Sequence, residues 1–141
     1  MKMITKDMIN IYNVEGFDWL NYKIYDINEI TFHHIKKEED DGKYEIENGA
    51  LLTTRAHRYL NLIETYSKDI YNQINDILRE INKNGHGPTK RQSEQIELLL
   101  LKFECENAKK IIHGKYKYNK KKIMAINNRK REQGVMKNKR K

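Results

Sequence analysis

Between Ala56 and Ile81 apolar residues return every three or four positions: Ala56, Tyr59, Leu60, Ile63, Ile70, Ile74, Ile77, Leu78 and Ile81. That interval is one stripe of an α-helix, so a single long helix is predicted from Arg55 onward. Two glycines and a proline in Asn84-Gly85-His86-Gly87-Pro88 stop it, because glycine frees the backbone and proline removes a donor. Thr89, with Gln92 three residues on, forms a capping-box pair, and a second helix is expected to begin at Thr89 or Lys90. It carries Ile96, Leu99, Leu100, Phe103, Ile111 and Ile112, widened by Leu98 and Leu101. Two facing stripes across a short connection predict an antiparallel helical hairpin through Ile112, and its apolar surface equally suits a homodimer closed through that hairpin.

At 141 residues, with 38% apolar and 34% charged residues, the chain has one domain's length and a small core. A thick, many-layered enzyme is excluded. The formal charge of +8 is unevenly placed: residues 113–141 hold twelve Lys and Arg against one acid, Glu132, while the rest is mildly acidic. This tail is too poor in apolar residues to bury a face by itself, so it is expected to be disordered or to fold only on a partner. Lys115, Lys117, Lys120, Lys121, Lys122, Arg129, Lys130 and Arg131 suit phosphates, and the interleaved Tyr116 and Tyr118 suit base stacking. Such contacts ignore sequence and weaken steeply with salt.

Cys105 is the only cysteine, which rules out an intramolecular disulfide and any multi-cysteine zinc site. It is expected as a partly buried filler of the second helix. No apolar run approaches the roughly 20 residues of a bilayer span, and Lys6, Asp7 and Asn10 interrupt any signal-like start. The expectation is a cytoplasmic protein without a membrane partner.

Residues 1–28 lack a clean period and are read as one short helix followed by extended chain, with Phe17, Trp19 and Tyr22 as local core. Ile30-Thr31-Phe32-His33-His34-Ile35 is rich in β-branched and aromatic residues, and Asp41-Gly42 is a turn signal, so a β-hairpin is predicted over 29–52. Consecutive strand residues point to opposite faces, which gives His33 and His34 different roles. Asn48 lies fourteen residues beyond His34, and His57 nine beyond Asn48 at the start of the long helix. Strand, strand and helix with histidines at both ends make a compact metal clip. His86 and His113 are read as solvated positions outside it.

Phe32-His33-His34-Ile35, Gly42, Ile46-Glu47-Asn48-Gly49-Ala50-Leu51-Leu52 and His57 together resemble the HNH, or ββα-metal, nuclease motif of phage and bacterial proteins. The resemblance covers about a quarter of the chain, residues 30–64. It implies His33 and His57 as metal ligands, His34 as the general base that deprotonates water, and Asn48 as a brace of the loop between the strands. Many family members carry a further histidine four residues after the helix histidine, where this chain has Asn61. An amide oxygen there suits Mg²⁺ or Mn²⁺ better than zinc or nickel. Arg55 and Arg58, which flank His57, are assigned to phosphate from adjacency.

The expected protein is therefore α+β: an N-terminal extension (1–28), an HNH core (29–64), a helical hairpin (65–112) and a basic tail (113–141). The implied activity is Mg²⁺- or Mn²⁺-dependent hydrolysis of DNA, with RNA left open, in a bacterial or phage-infected cell. The rivals are a catalytically silent HNH-fold binder that regulates a nucleic-acid machine, and a metal-free nucleic-acid chaperone.

Overall fold

A computed structural model describes residues 1–112, with side chains as far as Asn107. The contacts assigned to Lys115 through Arg131, together with His113, lie outside the described residues, as do the side chains of Ile111 and Ile112. The described chain is a mixed α+β fold with four helices and a two-stranded antiparallel sheet. In order these are α1 (Met3–Ile11), β1 (Ile30–His34), β2 (Gly49–Thr53), α2 (Thr54–Tyr66), α3 (Lys68–Asn84) and α4 (Lys90–Ile112), with three short 3₁₀ turns between them.

Ile30 pairs with Thr53 and His34 with Gly49, so Thr31 and His33 share a face with Leu52 and Ala50. That face meets the helices, as the contacts of Thr31 with His57 and of His33 with Asn75 show. Phe32 lies on the other face, toward Met8 of α1 and Tyr44. Every residue of β2 is buried, because the sheet is covered on both sides. Burial of each large side chain of this kind contributes about 1.5–3 kcal/mol.

The strands are not joined by a tight turn at Asp41-Gly42. Their connection runs from Ile35 to Asn48 and is shaped by Asn48, which accepts from Lys36 N–H (2.8 Å) and donates to the carbonyls of Lys36 (2.9 Å) and Lys43 (3.0 Å). Asp41 adopts φ 66°, and a Cβ on Gly42 would collide with the Lys36 carbonyl. The Asp-Gly pair therefore folds the connection back on itself rather than turning one strand directly into the next.

The predicted single long helix is two. At Ser67 (φ −152°, ψ 81°) the backbone leaves the helix: Ser67 N–H closes α2 on Ile63 and its carbonyl opens α3 on Tyr71. The stripe has a gap there, between Ile63 and Ile70. A straight helix cannot pack against itself, whereas the bend lets α3 contact α2, β2 and α4 together.

Gly85, with φ 75°, ends α3 in the left-handed conformation that glycine takes at little cost. The capping box then forms in both directions, Gln92 N–H to Thr89 Oγ1 (3.1 Å) and Thr89 N–H to Gln92 Oε1 (2.9 Å). The stripes of α3 and α4, including Ile70, Ile74, Leu78, Ile81, Ile96, Leu100 and Phe103, are buried within the single chain. Of the large apolar residues described on these two helices only Leu98 is exposed, and nothing among the described residues supports the expected dimer. Cys105 is exposed, not the partly buried filler anticipated. No helix among the described residues is long and apolar enough to cross a membrane.

The N-terminal segment forms α1 and then an irregular run held by Asp18. Its Oδ1 accepts from Leu20 N–H (2.8 Å) and Tyr22 N–H (2.9 Å), and its Oδ2 from Thr53 N–H (2.7 Å) at the N-cap of α2. Trp19 and Tyr22 are fully buried beside it, as expected, and Phe17 is half-buried.

Candidate metal centre

The two sequence-predicted ligands meet beside the face of the hairpin that carries Thr31 and His33. β1 carries His33 and the first turn of α2 carries His57, and their rings stand 5.3 Å apart between centroids at 87°. Each imidazole has one nitrogen engaged. Thr31 Oγ1 donates its only proton to the Leu52 carbonyl (2.8 Å), so His57 Nδ1, 3.0 Å away, must be the donor to Thr31 and Nε2 keeps its lone pair. His33 Nε2 lies 2.9 Å from Asn75 Oδ1, an acceptor, which puts the proton on Nε2 and leaves Nδ1 bare. Outer partners of this kind fix tautomer and ring orientation in metal-binding histidines.

Burial keeps both rings neutral. It pulls the His33 pKa down to about 4, with His57, His34 and Lys37 adding to the fall and the Asn75 bond opposing it. Burial, then His34, lowers His57 as well. A neutral imidazole is the ligand form. With nitrogen about 2.1 Å from an ion, two rings sharing it have centroids roughly 4.5 Å apart at the right angle of an octahedral ion such as Mg²⁺ and roughly 5 Å apart at a tetrahedral angle. The observed separation and the two bare nitrogens fit a shared divalent cation.

His34 lies at the rim of the same pocket, about 220 Å³ in volume and lined also by His33, His57, Asn61, Glu64 and Tyr71. Its ring packs edge-on to Phe32 (4.9 Å) and Tyr44 (5.1 Å). Its Nε2 is closed off from solvent without a hydrogen bond among the described residues, although Glu38 Oε1 approaches to 3.3 Å. Asn61 is exposed, on the pocket wall one turn beyond His57. Among the described residues no group of three or more His, Cys, Asp or Glu is arranged to hold a metal ion.

Asn48 stands where the brace was expected and makes the three loop bonds described above. The arginines do not join the site. Arg55 donates to the Lys23 carbonyl (2.7 Å) and Glu29 (3.0 Å) and lies over Tyr25, which removes it from the pocket; Arg58 is exposed and outside the lining. His86 is on an exposed loop. Reasoning from spacing missed Thr31, Asn75, Lys37, Glu38, Glu64 and Tyr71. Asn75, a polar residue beside Ile74 on a helical stripe, could be read as buried but not as the partner of His33; the others carried no signal.

No protein-family model matches the chain significantly, and neither does any curated protein or solved structure.

Proposed function

We propose that the protein is an HNH-type, metal-dependent endonuclease acting on DNA. The observation that carries this reading is the convergence of His33 and His57 at 5.3 Å, each with an oriented and unspent nitrogen, beside His34 in one pocket. His33 Nδ1 and His57 Nε2 would hold Mg²⁺ or Mn²⁺, with the Asn61 amide oxygen available from the exposed side. When bound, the ion supplies neutralisation of charge on the phosphate and on the departing 3′ oxygen.

The chain's own part is positioning and proton transfer. His34 accepts the proton of the attacking water as the new bond from oxygen to phosphorus forms and the bond to the 3′ oxygen breaks. Imidazole is the side chain that ordinarily exchanges protons near neutral pH. Asn48 holds the 35–48 connection, and thereby the end of β1, in register with β2. Asn75 and Thr31 orient the ligand rings. The basic tail would hold the nucleic-acid backbone without reading its sequence.

The test is incubation of supercoiled plasmid with purified protein in Mg²⁺ or Mn²⁺. Nicking lost in both His34→Ala and His57→Ala supports the proposal; no cleavage in either metal, or equal cleavage by both variants, refutes it. One observation favours the silent-binder reading: Glu38 beside His34, and a Lys37–Glu64 ion pair on the rim, fill the mouth with the chain's own charges. That reading expects metal binding without nicking.

A further inference from the structure

The pocket ringed by the three histidines has one permanently cationic side chain in its lining, Lys37, and two carboxylates, Glu38 and Glu64. Lys37 follows β1 directly on the connection. Its ammonium touches the Glu64 carboxylate, lies 3.6 Å from Glu39, and sits 5.8 Å from the centre of the Tyr71 ring. Glu64 Oε2 is closed off from solvent and accepts no hydrogen bond beyond that ion pair, whereas the Lys37 side chain remains 34% exposed. Both residues also line a second, larger cavity of about 450 Å³ between the 35–40 segment and α3, so the pair is common to the two hollows.

A half-exposed ion pair contributes little to folding, but here it decides what the pocket offers an anion. Among the lining's ammonium and carboxylates, Glu64 pairs with Lys37 and leaves Glu38 over. Arg55 is spent on Glu29 and Arg58 lies outside. A backbone phosphate entering this pocket therefore has one lining ammonium to meet, and that ammonium is already held. Carboxylate and phosphate oxygens are interchangeable acceptors for a lysine, which binds as a point charge rather than through a fixed fork.

We infer that Lys37 is a phosphate-contacting residue of this pocket and that Glu64 withholds it until a nucleic-acid backbone takes the carboxylate's place. The inference rests on the nuclease reading in taking DNA as the ligand, and it adds the residue that meets the phosphate and the one that competes for it.

The experiment measures binding without cleavage. Full-length protein carrying His34→Ala, in metal-free buffer with chelator, is titrated into fluorescently labelled duplex DNA across a range of salt. Lys37→Met in that background is expected to weaken binding about three- to tenfold and to lower the slope of log K against log salt by about 1. Glu64→Gln is expected to tighten binding by a similar factor, and the double variant to behave as Lys37→Met. Lys83→Met, an exposed lysine in the last turn of α3, controls for general loss of charge. Wild-type affinity and slope in Lys37→Met, or weaker binding in a folded Glu64→Gln, would overturn the inference. Plasmid cleavage with no effect of Lys37 would sink this inference and leave the nuclease standing; a Lys37 effect without cleavage would do the reverse. Absence of DNA binding by the parent protein would end both.

Discussion

Two polar clusters flank the same short hairpin, and they use their capacity differently. At the end where Ile30 pairs with Thr53, Asp18 is 1% exposed and gives both carboxylate oxygens to backbone N–H groups. In the second cluster, His33 and His57 each satisfy one nitrogen and leave one bare, and His34 Nε2 is enclosed without a hydrogen bond. The first cluster is closed chemistry that ties the N-terminal segment to the start of α2. The second keeps unspent lone pairs where a structural cluster would have used them, at a desolvation cost, and this imbalance is what supports a ligand.

The sharpest break between the two clusters is in stability. Asp18→Ala strips acceptors from three backbone N–H groups, all on fully buried residues, Leu20, Tyr22 and Thr53. At roughly 1–3 kcal/mol for each buried donor left unsatisfied, urea unfolding should show a loss of about 3 kcal/mol or more. A loss below about 1 kcal/mol would mean that Asp18 is not the knot described.

The clusters also answer pH with opposite sign. Burial raises the Asp18 pKa from 3.8 to about 6 against the pull of its N–H bonds, so its contribution is full below pH 3.8 and is lost as pH rises through about 6. His33 is lowered from 6.5 to about 4, so the unfolded chain takes the proton first and stability is lost as pH falls through that window. The stability difference between wild type and His33→Gln should therefore shift by roughly 3 kcal/mol in favour of wild type from pH 4 to 6.5, at about 1.4 kcal/mol per unit. Parallel curves for the two proteins would show that His33 does not titrate as its burial demands.

Asn75→Ala leaves the His33 N–H without its acceptor, which should cost about 1–2 kcal/mol in urea unfolding and weaken divalent-ion binding by about 10–100-fold. His57→Ala should cost the metal-free protein least, about 1 kcal/mol or less, because Thr31 keeps its bond to Leu52. It should nonetheless abolish any rise in melting temperature caused by Mn²⁺. A rise equal to wild type's would separate His57 from the ion.

The contrast between the clusters follows the contrast in what the sequence showed. His33, His34, Asn48 and His57 were legible because their spacing and hydrophobic framing are local properties of a strand, a connection and a helix start. The α4 cap was legible for the same reason, Thr89 and Gln92 being three residues apart. The ties of Asp18 to Thr53 and of Asn75 to His33 were not, since they span 35 and 42 residues and form only through tertiary packing. The bend at Ser67 was hidden because the apolar interval resumes in phase after it, and a stripe records which face is buried but not whether its axis is straight. Arg55 was misread for a related reason: adjacency to His57 in sequence placed it beside the site, while its side chain leaves on the other side of α2 toward Glu29 and Tyr25.

The claim beneath all of this is that two imidazoles, each oriented by a neighbour, share one divalent ion. Calorimetric titration of Mn²⁺ into the full-length protein tests it most directly. One ion per chain is expected, with binding lost in His33→Ala and in His57→Ala while both variants stay folded. No binding by the folded wild-type protein, or undiminished binding in both variants, would contradict it.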